Sequence, residues 1–266
     1  MFKNIVLFLH KEGQKKIGVD KAPLLIKKNI NFKNLYKIRS MNNIYKNLEN
    51  LYDNNKSINE PILNIGGDHS MAISTVADSL NKHKNLKLIW IDAHCDINTY
   101  QSSTTKNFHG MPLSILTGLD IQTRHTFDFL NKTRLLDFKD ILYIGIRDID
   151  PYEIHILDKY NIKSISSHEV NNKPYNVLKT INNFVKNNPV HISFDVDSID
   201  PIYIPSTGTS VKGGINIDSM NTIFKNINKK NIVSMDFTEL NLTIGNDKEK
   251  DISLQNSLKL LNNFCI

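Results

Sequence analysis

Leu88-Ile89-Trp90-Ile91-Asp92-Ala93-His94-Cys95-Asp96-Ile97-Asn98 is the stretch on which the reading of this chain turns. It opens as an unbroken apolar run, the mark of a strand buried on both faces in a parallel sheet. Asp92, His94 and Asp96 then follow at every second position. Side chains alternate in extended chain, so these three can point the same way as the strand leaves the sheet. Carboxylate and imidazole converging at a strand's C-terminal end point to a bound cation. Taken alone, the stretch reads equally well as a polar loop after a core strand.

Two more stretches repeat the pattern. Val190-His191-Ile192-Ser193-Phe194-Asp195-Val196-Asp197 is again a buried strand ending in two carboxylates spaced by two. Pro61-Ile62-Leu63-Asn64-Ile65 runs into Gly66-Gly67-Asp68-His69-Ser70, where a helix is expected to begin. Ligands of open parallel sheets bind outside the carboxyl ends of the strands. Three strands therefore bring His69, Asp92, His94, Asp96, Asp195 and Asp197 to one edge. Four carboxylates so close repel unless cations neutralise them, and two divalent ions carry the matching charge. Cys95 is out of phase with these ligands and is expected to face away.

Working outward, Asn4–Leu9, Ile141–Ile146, Ile162–Ile165 and Ile232–Phe237 read as further strands. Helical periods are expected over Ala22–Ile30, Asn42–Leu51, Ser70–Leu80, Tyr175–Val185, Asp218–Ile227 and Ser253–Asn262, with another after Pro151. Strand and helix alternate throughout, which is the pattern of a doubly wound α/β sheet. No linker, repeat or charged tail interrupts it, so residues 1–266 are expected to form a single domain. Thr99–Phe108 is a long polar loop beside the proposed site and is expected to be functional.

Bulk properties exclude several classes. A chain of 266 residues with 40% hydrophobic and 23% charged content suits a soluble protein with a sizeable core. The net charge of +6 raises nucleic acid as a partner. Yet Arg39, Arg124, Arg134 and Arg147 are the only arginines, and the lysines are dispersed among asparagines, so no basic platform forms. Two cysteines, Cys95 and Cys265, make no disulfide framework and point to a reducing compartment. No apolar run has the length of a signal-peptide core or a membrane span, so a cytoplasmic protein is expected.

Gly-Gly-Asp-His-Ser, Asp-Ala-His-x-Asp-Ile-Asn and Ser-Phe-Asp-Val-Asp-x-x-Asp-Pro, in this order, resemble the ureohydrolase family, which includes arginase and agmatinase. The resemblance runs from about Ile5 to Glu239. It implies a three-layer α/β/α sandwich with a mostly parallel sheet and a centre of two Mn2+ ions. Ligands of this kind suit manganese, with iron, cobalt or zinc as the other options. Two such ions can share a bridging water and make it hydroxide at neutral pH. Glu239, at the end of the last strand, has the planar carboxylate that pairs with a guanidinium in a bidentate fork.

By resemblance, Glu239 holds the guanidinium, Thr209 lines the same pocket, Asp96 helps to position the nucleophile and His109 is the proton shuttle. Hydroxide attack on the guanidinium carbon then cleaves the substrate. Arginine differs from agmatine by an α-carboxylate. Asn98, Thr105 and, less centrally, Ser103 match the arginase loop that holds this group, and Asp150 matches the position that receives the α-ammonium. The best match is therefore arginase, which hydrolyses L-arginine to urea and L-ornithine, with a trimer or hexamer as the implied assembly. The alternatives are agmatine or a guanidino acid as substrate, or a non-catalytic metal-binding homologue.

The chain also departs from the pattern. Leu7-Phe8-Leu9 replaces Gly-Ala-Pro, Lys16 stands where arginases have an arginine, and Glu239 is followed by Leu240-Asn241. Lysine keeps a charge but loses the guanidinium fork, which puts any bidentate contact at Lys16 in question. The remaining histidines, His10, His83, His125, His155, His168 and His191, fit no functional motif, and core packing is the expected role of His191.

Overall fold

Among the described residues, eight strands form a single sheet: β1 (Asn4–Leu9), β2 (Asn34–Arg39), β3 (Ile62–Ile65), β4 (Lys87–Ile91), β5 (Ile141–Ile144), β6 (Lys163–Ile165), β7 (Val190–Asp195) and β8 (Ile232–Thr238). The computed structural model describes residues 2–30, 34–59 and 61–265. The strand order is β2-β1-β3-β8-β7-β4-β5-β6, and every pairing is parallel.

Ten helices are present among the described residues: α1 (Ala22–Asn29), α2 (Ile44–Lys56), α3 (Ala72–Lys82), α4 (Pro112–Thr117), α5 (Ile121–Arg124), α6 (Pro151–Tyr160), α7 (Ser167–Asn172), α8 (Pro174–Val185), α9 (Ile217–Asn226) and α10 (Asp247–Cys265). Alternation of side chains along each strand separates two cores. Ile89, Ile91, Ile192 and Phe194 face one core, completed by α1, α7, α8, α9 and α10. Leu88 and Trp90 face the other, completed by α2, α3, α4 and α6. The expected α/β/α sandwich is present, and the sheet is parallel throughout.

One strand escapes the sequence reading. β2 is an edge strand whose side chains are mostly exposed, so Asn34-Leu-Tyr-Lys-Ile-Arg39 lacks the continuous apolar run that marks a central parallel strand. Its single neighbour is β1.

The central strands β3, β8, β7 and β4 are adjacent and end in register. Ile65 pairs with Phe237, Phe237 with Phe194, and Phe194 with Ile91. The residues that follow this row therefore emerge along one ledge. Gly67 follows β3 because a Cβ there would collide with the carbonyl of His10, which accepts the N–H of Asp68 at 3.3 Å. This close approach folds the chain back and lets His69 open a 3-10 turn ahead of α3.

Candidate metal centre and active-site cleft

Two ligand groups form on the ledge and share one residue. His69, Asp92 and Asp195 offer atoms within 4.8 Å of one another, as do Asp92, His94 and Asp197. His69 Nδ1 lies 3.0 Å from Asp92 Oδ2, 3.2 Å from Asp96 Oδ2 and 3.4 Å from Asp195 Oδ2. His94 Nδ1 lies 3.1 Å from Asp197 Oδ2 and 3.4 Å from Asp92 Oδ1. Asp92 thus presents one oxygen to each histidine.

His69 Nδ1 is buried and makes no hydrogen bond, although three carboxylate oxygens surround it. A bare ring nitrogen facing a ring of carboxylates is a donor set that fits a divalent cation. Asp96 reaches this group from a left-handed backbone conformation (φ 50°) that a non-glycine residue rarely adopts. Trp90 stacks on the His69 ring with centroids 4.1 Å apart, and its indole N–H donates to Asp92 Oδ2 at 3.0 Å.

The electrostatics without cations express the crowding. Burial raises the carboxyl of Asp195 well above its ordinary value and that of Asp197 in the same direction, and the charges of neighbouring aspartates add to it. Asp96 is pushed up to about 6 by burial and by the charge of Asp92. Burial alone would lower His69 and His94, but the surrounding carboxylates outweigh it and hold both rings well above the usual histidine value.

Glu239 follows β8 and is also in a left-handed conformation (φ 65°). Its Oε1 accepts from the His69 N–H at 2.8 Å and stands 3.2 Å from His109 Nδ1. Its Oε2 accepts from the Gln14 side-chain amide at 2.6 Å. Oε1 is thereby saturated, and Oε2 keeps one lone pair. A bidentate grip on a guanidinium uses both oxygens and so requires His109 to give way at Oε1.

A cleft of about 190 Å³ leads outward from the ligands. His94, Asp96, Asp195 and Thr209 line it, as does His109. Asn98, Ser103, Thr105 and Asp150 also line it. Glu239 is buried and borders the cleft through its contact with His109. Thr209 Oγ1 donates to Asp197 Oδ2 at 2.8 Å. Asn98 donates to Asp150 Oδ2 at 2.9 Å and accepts from Ser102 Oγ at 2.8 Å. Every residue singled out in the sequence thus lies in or beside one cleft.

The sequence profile of the arginase family matches residues 8–261. The chain belongs to the arginase family. An arginase from Plasmodium berghei is 44% identical over 185 residues, which is 68% of this chain and 52% of that protein, so the chain spans about half the length of that relative. An arginase from Neurospora crassa is 35% identical over 245 residues, covering 89% of this chain and 68% of the relative. The crystal structure of Entamoeba histolytica arginase in complex with L-ornithine superposes with a TM-score of 0.87 at 29% identity, covering 99% of each chain. A formimidoylglutamase from Bacillus subtilis shares the fold at 17% identity and a TM-score of 0.77.

Within this arginase-family chain, the departures are accommodated locally. Lys16 Nζ donates to the carbonyl of Gly208, a single-point contact in place of a fork. Asn241, after Leu240, donates to the carbonyl of Ile17 at 2.9 Å and so ties the N-terminal loop to the end of β8. Cys95 is buried in the core, facing away from the ligands. His191 is fully buried and hydrogen-bonded.

Two residues at the site have no counterpart in the sequence reading. Gln14, described above, is one. Glu153 accepts from the N–H groups of Ile97 and Asp150, each at 3.1 Å, and lines the cleft. Burial pushes its carboxyl up to about 7, helped by the charges of Asp96 and Asp150. Asp150-Pro-Tyr-Glu153 has the spacing of a capping box, a signal that could have found Glu153. No local signal marks Gln14. Among the described residues, no helix is long and apolar enough to cross a membrane.

Proposed function

We propose that this chain hydrolyses the guanidinium group of L-arginine, giving urea and L-ornithine, with two Mn2+ ions as cofactor. The observation that carries the reading is the lining of one cleft: Asp195 and His94, one from each of the two ligand groups that share Asp92, line it together with the paired Asn98 and Asp150. The likeness to named arginases, one of them crystallised with L-ornithine, supports the same substrate.

His69, Asp92, Asp96 and Asp195 would hold one ion, and Asp92, His94 and Asp197 the other. Bound there, the ions neutralise the carboxylates and supply a water acidic enough to act as a nucleophile at neutral pH. The chain's own residues supply the rest. Asp96 would help to position that water. Glu239 accepts from the guanidinium on its remaining lone pair and keeps the planar group over the ligands. Thr209 borders the same pocket.

His109 moves the proton. Burial would lower its pKa, but the hydrogen bond and charge of Glu239 raise it to about 9, so the ring carries a proton at neutral pH. With Nδ1–H donated to Glu239, Nε2 is the atom that delivers a proton to the departing amine. On the cleft wall, Asp150 offers a carboxylate to an α-ammonium, while Asn98, Ser103 and Thr105 offer polar groups to an α-carboxylate.

The test is urea release from arginine, agmatine and guanidinobutyrate with manganese supplied. A kcat/KM for arginine well above that of the other two supports the proposal. Equal or greater efficiency with agmatine assigns the chain to the agmatinase branch, and no urea from any of them leaves a metal-binding homologue.

A further inference from the structure

The sheet carries a polar seam that the cleft does not use. On the face covered by α3, Asn64 of β3, His191 and Ser193 of β7, and Ser234 and Asp236 of β8 lie beneath Thr75 and Ser79. All seven are buried, and Asn64, His191, Ser193 and Asp236 are 0% exposed. Polar groups in a core are costly unless paired, so a seam this deep asks for a reason.

The seam converges on Asp236. Its Oδ1 accepts from Asn64 Nδ2 at 2.9 Å. Its Oδ2 accepts from Thr75 Oγ1 at 2.7 Å, from His191 Nε2 at 2.9 Å and from Ser193 Oγ at 3.3 Å. A carboxylate only accepts, so Ser193 directs its one hydrogen toward Asp236. The Ser193 oxygen then offers only lone pairs to its other partner, His69 Nε2, at 2.8 Å. The hydrogen in that contact must therefore come from His69 Nε2. The second ring nitrogen, Nδ1, is left with a bare lone pair among Asp92, Asp96 and Asp195.

We propose that Asp236, acting through Ser193, is a positioning residue that holds His69 in its Nε2–H tautomer and so makes Nδ1 a ligand for a divalent cation. The inference rests on the two-ion reading of the site. It gives the seam its role: an outer partner fixes which nitrogen of a ligating histidine faces the metal. The Trp90 stack fixes the plane of the ring, and the Asp236–Ser193 pair fixes its proton.

Equilibrium dialysis against Mn2+, followed by elemental analysis of wild type, Asp236→Asn, Ser193→Ala and the double variant, tests the proposal. An asparagine at 236 can donate to Ser193 and turn its hydroxyl toward His69 Nε2, which favours the wrong tautomer. Asp236→Asn is expected to weaken one of the two ions by roughly ten- to a hundredfold and leave the other unchanged. Ser193→Ala keeps three of the four hydrogen bonds to Asp236, and it should weaken the same single ion. The double variant should be no weaker than the worse single one, because both changes act on one path.

Two ions bound with wild-type affinity in both single variants overturn the proposal alone, as do fully additive losses. Should Asp236→Asn fail to fold, Ser193→Ala decides: unchanged affinity overturns the proposal. A wild-type chain that takes up no manganese overturns the metal centre and the proposal with it.

Discussion

His109 Nδ1 and Glu239 Oε1 stand 3.2 Å apart, although 130 residues separate them in the chain. The contact joins the proposed proton carrier to the proposed guanidinium anchor, and Glu239 is itself held by the N–H of His69. Replacing His109 with Ala should lower kcat about a hundredfold or more, the scale of general acid–base catalysis. Metal content, measured by elemental analysis, should stay at the wild-type level. Loss of an ion in the variant would make His109 a ligand and end its role as shuttle.

Asp92 belongs to both ligand groups, whereas Asp195 belongs to one. Asp92→Asn should therefore remove metal and activity together. Asp195→Asn should abolish activity while reducing the His69-side ion first. Fewer than one metal per chain in the wild type, after dialysis against excess manganese, would sink the two-ion reading.

Asp150 accepts from Asn98 at 2.9 Å, so the two act as a unit on the cleft wall. A site built to pair polar groups leaves them unpaired when the substrate lacks the matching group, which discriminates by several kcal/mol. Asp150→Ala should raise KM for arginine strongly with metal content intact. Apolar replacements at Asn98 and Thr105 should narrow the gap in kcat/KM between arginine and agmatine. An unchanged gap would mean that the loop only covers the pocket.

The raised pKa of His109 is also a statement about stability. A histidine raised from 6.5 to about 9 contributes stability that is fully present below about 6.5 and is lost as pH rises through about 9. In chelator-treated, metal-free protein, the Tm of wild type minus that of His109→Gln should shrink across this window. Differential scanning at a series of pH values measures it. A difference that grows with pH would contradict the Glu239 pairing as its source.

What the sequence determined by itself is whatever is written locally. Leu88–Ile91 and Val190–Phe194 are buried on both faces, and that leaves continuous apolar runs to read. Asp92, His94 and Asp96 share a face because extended chain alternates, so their spacing declares a ligand set before any fold is known. β2 was illegible because an exposed edge strand needs no apolar pattern. Only the tertiary structure decided which strand ends lie side by side, since the order β3-β8-β7-β4 draws together segments far apart in the chain. Only it could pair Gln14 with Glu239 across 225 residues, or bring Asn64, His191 and Ser193 around Asp236. Each of those is an ordinary polar residue in its own segment. Its meaning comes from a partner that parallel register, set by the packing of the whole sheet, places beside it.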